Sequence, residues 1–158
     1  MRGDEQAQAE FDAAFPGLVT VACHAAQRFF RYDDTIVGSA VAETMAQTYA
    51  RWERVRRHDN APSWVLVRTK AVCLELLRAK EETEDAPISA RVLETLDHLS
   101  KLQRDVAVLR YLMDCDEAST AVALDLTESK VNKIAHKARL RMRGNLDDVY
   151  EYTGEAPV

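Results

Sequence analysis

Apolar residues recur at intervals of three and four along most of this chain. Over residues 10–31 they fall at Phe11, Ala14, Phe15, Leu18, Val19, Ala22, Cys23, Ala26, Phe29 and Phe30, a spacing that predicts a helix with one buried face. Pro16-Gly17 interrupts that run, so a kink or two short helices is expected there. Tyr32-Asp33-Asp34 reads as a break, with Asp34 or Thr35 as the cap of a second helix over 36–55. Its stripe is Val37, Val41, Thr44-Met45, Thr48-Tyr49 and Trp52. After a polar connection over 56–62, Ser63 is expected to cap a third helix, 64–80. There Trp64, Val67, Ala71, Leu74 and Leu77 turn inward, while Arg68, Lys70, Arg78 and Lys80 turn elsewhere.

Residues 81–87 carry acids and a proline with no apolar anchor, the pattern of a linker. Helical spacing resumes beyond Ile88, over 92–99, 102–113, 117–124 and 128 to about 146. The expected fold is therefore all-α, with two small helical domains, 5–80 and 89–147, joined by a flexible acidic linker at 81–88. The second is a helix-turn-helix domain, and 148–158 reads as a tail.

The last helix carries the clearest chemistry. Val131, Ala135, Ala138 and Met142 share one face, and the same spacing sends Asn132, Lys133, His136, Lys137, Arg139 and Arg143 outward. Thr127 is placed to cap its amino end, with Ser129 and Lys130 beside it, leaving that end able to approach a phosphate. Asn132 and Lys133 are of the type that bonds base edges, while the later cations suit phosphates. The bland alternative is a solvated basic helix that only closes a bundle. The small helix before it (Ala118, Ala121, Val122) and the turn at Asp125-Leu126 favour the DNA-groove reading.

Composition agrees with helices. The chain has 158 residues, 47% hydrophobic and 30% charged, with few glycines and prolines. A net charge of −5 argues against indiscriminate DNA coating, but the charge is segregated. Lys130, Lys133, Lys137, Arg139, Arg141 and Arg143 are joined by no acid over 130–143, whereas acids gather near the amino end, in 81–85 and at Asp147-Asp148. Cys23, Cys73 and Cys115 are odd in number and form no CxxC, as expected of reduced thiols in the cytoplasm. The start lacks a secretory pattern, and the apolar run at 17–26 is too short to span a bilayer, so no membrane role is expected. His24, His58, His98 and His136 are scattered, and no metal motif or glycine-rich phosphate loop occurs. No metal, no cofactor and no enzymatic activity are expected.

Residues 99–111, Leu-Ser-Lys-Leu-Gln-Arg-Asp-Val-Ala-Val-Leu-Arg-Tyr, resemble the entry to the carboxy-terminal domain of bacterial sigma factors, above all the extracytoplasmic-function (ECF) group of the sigma-70 family. The family reads roughly L-P-x-x-x-R-x-V-x-x-L-R-Y, then E-I-A-x-x-L-G, then T-V-K-S-R-x-x-R-A-R-x-x-L-R. This chain supplies Leu99, Arg104, Val106, Leu109-Arg110-Tyr111, Ala121, Leu124, Val131, Ala138-Arg139, Met142 and Arg143 at matching intervals. In the amino half, Val41-Ala42-Glu43-Thr44-Met45 with Tyr49-Ala-Arg-Trp52 resembles A-E-D-x-V-Q-E-T-F-x-x-A-W. Trp64-Val-Leu with Leu74-Glu75-Leu-Leu-Arg78 resembles W-L-x-x-I-A-x-N-x-x-x-D-x-x-R.

The resemblance implies a sigma factor that directs RNA polymerase to specific promoter DNA and initiates transcription. The first domain would dock on core RNA polymerase through Glu43, Thr44, Met45, Tyr49 and Trp52. It would help open the −10 element, with Arg68, Lys70 and Arg78 as its DNA-contacting cations. The second would bind the −35 element through Thr127, Ser129, Lys130, Asn132, Lys133, His136, Lys137 and Arg139. The resemblance adds an anti-sigma factor as a candidate partner, and the chain is expected to be monomeric when free. The pattern departs at Val37, Gly38 and Ser39, where the family has acids, and at Ala71, Ser100, Ser119, Asp125 and Ile134. Two rival readings stand beside it: a helix-turn-helix regulator that binds DNA alone, and a sigma-like protein that holds polymerase or an anti-sigma factor without promoter activity.

Overall fold

The structure is a computed structural model that describes residues 2–31, 33–83 and 87–153, with side chains described for 3–31, 33–80 and 91–144. Among the described residues the regular elements are helices: α1 (Arg2–Phe29), α2 (Asp34–Ala50), α3 (Trp52–Val55), α4 (Ala61–Thr83), α5 (Pro87–Asp97), α6 (Lys101–Ala107), α7 (Glu117–Leu124) and α8 (Glu128–Thr153). A single wide turn, Val108–Leu112, extends α6. Contacts divide the chain into two compact units, Met1–Leu76 with Val122–Leu124, and Leu77–Ala121 with Asp125–Val158.

In the first unit α1 packs along α2. Its core joins Ala7, Phe11, Leu18 and Ala22 of α1 to Met45, Trp52, Val55 and Val65. The helix begins earlier than expected, at Arg2, and no break occurs at Pro16; its stripe follows the predicted spacing except at Phe15, which is exposed. Pro16 removes one donor from the helix, at a typical cost of about 3 kcal/mol. Pro16 and Asp12 both lie on the exposed face, where water can serve the Asp12 carbonyl, and Leu18 and Ala22 hold the next turns in the core.

The expected helix over 36–55 is two helices. Asp33, rather than Asp34 or Thr35, caps α2 by accepting from the Ile36 N–H at 3.2 Å. At Arg51 (φ −112°, ψ 21°) the chain leaves helical geometry before α3. Asn60, not Ser63, caps α4: its Oδ1 accepts from the Ser63 N–H at 3.0 Å. The inward stripe of α4 is also displaced, because Val65, Thr69, Lys70, Val72 and Cys73 are buried, whereas Trp64, Val67, Ala71, Leu74 and Leu77 are half-buried.

In the second unit α8 packs chiefly on α6 and also meets α5. Leu93, Leu96, Leu99, Val106, Val108, Leu109, Met113, Val131, Ala135 and Ala138 are buried there. Ser100 opens α6 with a reciprocal cap: its Oγ accepts from the Gln103 N–H and its own N–H donates to Gln103 Oε1, both at 3.2 Å. Arg104 reaches back to the carbonyls of Leu96 (3.1 Å) and Leu99 (3.3 Å), satisfying the end of α5. Helix occupies both ends of the span expected as linker, since α4 runs through Thr83 and α5 starts at Pro87; residues 84–86 lie outside the described residues. Helix α8 likewise continues to Thr153, past the expected start of a tail at 148.

Candidate nucleic-acid interface

The turn into α8 is built from local bonds. Asp125 adopts φ 55°, in the left-handed region that favours glycine, and so reverses the chain after α7. The Leu126 N–H then donates to the Ala121 carbonyl at 2.9 Å. Thr127 caps α8 as expected, its Oγ1 accepting from the Lys130 N–H at 3.1 Å. Asp116 does the same for α7, taking the Ser119 N–H at 2.7 Å. That bond from the Ser119 backbone, and then one from its side chain, holds the Asp116 carboxyl below the usual range.

Val131, Ala135 and Ala138 of α8 are buried and Met142 is half-buried, so the predicted inner face is the observed one. Thr127, Ser129, Lys130, Asn132, Lys133, His136, Lys137, Arg139 and Arg143 are all exposed. At 3.6 residues per turn they form two stripes, Asn132, His136, Arg139 and Arg143 on one flank and Lys130, Lys133 and Lys137 on the other. Among the described residues none of Lys130, Lys133, Lys137, Arg139 or Arg143 has a carboxylate within salt-bridge distance. Arg141 differs, because its Nη1 donates to Gln103 Oε1 at 2.9 Å and so ties α8 to the α6 cap. The Tyr111 hydroxyl adds a second tie, to the Ala135 carbonyl at 3.4 Å. Spacing does not reveal these sequence-distant bonds, although Ser100-Lys-Leu-Gln103 carries the signature of the cap that Arg141 meets.

Before α7 the chain makes an irregular corner. Met113 N–H donates to the Val108 carbonyl, five residues back, at 2.9 Å, and Asp114 has φ 54°. Arg110 closes this corner, donating to the Cys115 carbonyl at 2.6 Å and lying 4.0 Å from Glu117. Burial pushes the Cys115 thiol up to about 11 and the Cys73 thiol up to about 12, so both stay protonated and poorly nucleophilic.

The candidates of the first unit separate by burial. Glu43 and Tyr49 are exposed, Tyr49 at 53%. Thr44, Met45 and Trp52 are core residues, which corrects their expected place on a docking surface. Trp52 is the firmest case: it packs edge-on against Phe11, and its Nε1 donates to the Ala7 carbonyl at 2.7 Å. Lys70, expected outward, is only 8% exposed, because the one-residue shift of the α4 stripe carries it inward. The Arg68 guanidinium lies 5.4 Å from the Trp64 ring centre, a cation–π pair. Arg78 is paired with Asp97 at 3.0 Å and belongs with the second unit. The Arg78 hydrogen bond holds the Asp97 carboxyl below the usual range.

Among the described residues no group of three His, Cys, Asp or Glu side chains could hold a metal ion, and no helix is long and apolar enough to cross a membrane.

Residues 89–142 match the family model described as Sigma-70, region 4. The chain is 28% identical over 119 residues to the RNA polymerase sigma-E factor of Streptomyces antibioticus, covering 65% of this chain and 66% of that protein. It is 28% identical over 118 residues to the protein of the same name from Streptomyces coelicolor, covering 65% and 67%. The matched stretch thus spans about two thirds of the length of each relative. Among solved structures it is similar to CnrH in complex with the cytosolic domain of CnrY, with 26% identity and a TM-score of 0.54 over 91% of this chain and 94% of that one. With its amino-half and carboxy-half motifs in the order of sigma factors on an all-helical frame, the chain is similar to RNA polymerase sigma-E factors over about two thirds of its length and carries a Sigma-70, region 4 match over 89–142.

Proposed function

We propose that this chain is a sigma factor that brings core RNA polymerase to specific promoters and initiates transcription. The observation that carries the reading is the exposed, acid-free stretch 130–143 of α8, a helix capped at Thr127, nearly all of it within the residues that match region 4. Residues 89–147 take the −35 element as a helix-turn-helix lobe. Thr127, Ser129, Lys130, Asn132 and Lys133 lie at the helix start, and His136, Lys137 and Arg139 along its outer face. Residues 5–80 dock on polymerase through Glu43 and Tyr49 and help open the −10 element, with Arg68 on α4. The acidic stretch at 81–88 joins the two lobes.

The protein works in the cytoplasm, as a monomer when free, and makes or breaks no covalent bond itself. An anti-sigma factor is its candidate regulator. A net charge of −5 keeps the free chain from coating DNA, so polymerase must place the two lobes. Run-off transcription with purified core polymerase and a promoter library tests the reading; initiation from a defined promoter subset is expected. Polymerase binding without initiation overturns it in favour of a sigma-like decoy. Tight sequence-specific DNA binding without polymerase overturns it in favour of a stand-alone regulator.

A further inference from the structure

The five residues that join α3 to α4 are held at both ends. At the far end, the Asn60 side chain caps α4 and its N–H donates to His58 Nδ1 at 3.0 Å. At the near end, Arg56 Nε lies 2.9 Å from Glu10 Oε2, and its Nη2 donates to Glu10 Oε1 at 3.4 Å. Its Nη1 meets Glu53 at 3.2 Å. The Arg56 side chain is 20% exposed, against 79% for Arg57. One guanidinium therefore fastens the start of this loop to α1, forty-six residues earlier.

We infer that Glu10 is a positioning residue for promoter opening, holding Arg56 so that the loop delivers the first turns of α4, with the stacked Trp64 and Arg68, in one orientation. The inference rests on the proposed function, which puts α4 at the −10 element. A paired, half-buried charge is screened less than a surface one, and removing Glu10 leaves Arg56 only the local Glu53 pair, which does not reach α1. Glu10 itself lies beside the core, whose neighbouring Phe11 keeps its packing when the carboxylate is lost. Replacing Glu10 should thus loosen the loop without dismantling α1. The pairing also occupies the Arg56 guanidinium, leaving Arg57 as the loop's exposed arginine.

The test uses the full chain with Glu10→Gln, Arg56→Glu, and the exchanged pair Glu10→Arg with Arg56→Glu. Amide hydrogen exchange at residues 57–60 of the free chain is expected to rise about tenfold in Glu10→Gln and to return toward wild type in the exchanged pair. With core polymerase, initiation on duplex promoter is expected to fall about fivefold. Initiation on a template already open at −10, and affinity for polymerase, should stay at the wild-type level. Unchanged exchange overturns the inference, as does an equal loss on both templates, which would mean general destabilisation. Tighter DNA binding by Glu10→Gln also overturns it, by showing Arg56 to be a phosphate contact that Glu10 masks. Exchange is read without polymerase, so it decides the positioning role even where wild-type initiation fails and the proposed function falls.

Discussion

The indole N–H of Trp52 donates to the Ala7 carbonyl at 2.7 Å, joining the short α3 to the second turn of α1 across forty-five residues. Phe11 stands edge-on to the same ring at 5.3 Å and to Tyr49 at 4.9 Å, and the Tyr49 hydroxyl donates to Gln8 at 2.9 Å. The amino-terminal turns of α1 are therefore part of the first lobe's core. Trp52→Phe keeps most of the apolar area but strands the bond and leaves a gap. It is expected to lower unfolding free energy by about 1–3 kcal/mol in denaturant titration. Polymerase affinity of the folded fraction should be unchanged, and a selective loss of affinity at full stability would return Trp52 to the docking surface.

Asp125 occupies the place where the family carries a turn glycine, at φ 55°. A β-carbon is costly there, and aspartate tolerates it better than most residues. Asp125→Gly is expected to stabilise the second lobe by about 0.5–1 kcal/mol, net of the greater freedom glycine gains when unfolded. Thermal unfolding checks this, and a lower midpoint would mean that the Asp125 side chain makes a compensating interaction.

Much of the second lobe could be read from spacing alone. Val131, Ala135 and Ala138 lie four and three residues apart in an uninterrupted helix, so the buried stripe fixed the exposed one, and the Thr127 cap followed from its place before a basic run. The first lobe was less legible because short-range signals competed there. Asn60 and Ser63 are both good caps, so the start of α4 was ambiguous; separately, the large Trp64 suggested a stripe phase that Val65, Val72 and Cys73 overrule, which put Lys70 on the wrong side. Pro16 suggested a break that burial of Leu18 and Ala22 overrides. The ties Trp52–Ala7, Arg56–Glu10 and Arg141–Gln103 join residues thirty-eight or more positions apart, a range that periodicity does not reach.

Acid should destabilise the second lobe through Asp97 and Asp116. Both carboxyls are held below their unfolded value, Asp97 by the Arg78 hydrogen bond and Asp116 by the Ser119 N–H. A depressed carboxyl contributes stability that is complete above the unfolded value, about 3.9, and is lost as pH falls through the folded one. Melting temperature is therefore expected to hold down to about pH 5 and to fall below about pH 4. Asp97→Asn should flatten part of that fall, by a small amount because the Arg78 pair is about half exposed. An identical acid limb in the variant would show that Asp97 does not contribute.

Glu43 is the exposed acid left in the stretch that the resemblance puts at the docking surface, where Val37, Gly38 and Ser39 stand in place of the family's other acids. Among the described residues its carboxylate takes a 2.8 Å bond from Gln47 on the next turn and no other, so substitution should cost the fold little. Glu43→Arg is expected to weaken co-purification with core polymerase by about tenfold through loss of charge complementarity. Wild-type recovery at equal stability would move the docking surface elsewhere on the lobe.

Salt dependence gives the sharpest test of α8, because counterion release registers each phosphate contact separately from shape. Lys133 and Lys137 lie one turn apart on the same exposed stripe, and neither has a carboxylate within reach among the described residues. Arg141 sits on the same helix but is spent on Gln103. If α8 lies in a groove, Lys133→Ala and Lys137→Ala should each weaken promoter binding by holoenzyme. Each should also reduce the slope of log affinity against log salt by about 1, whereas Arg141→Ala should change stability more than slope. A base-reading role for Lys133 adds a further signature, since its loss would relax preference at one promoter position while Lys137→Ala weakens all sequences alike. Equal slopes in wild type and both lysine variants would take this face off the DNA.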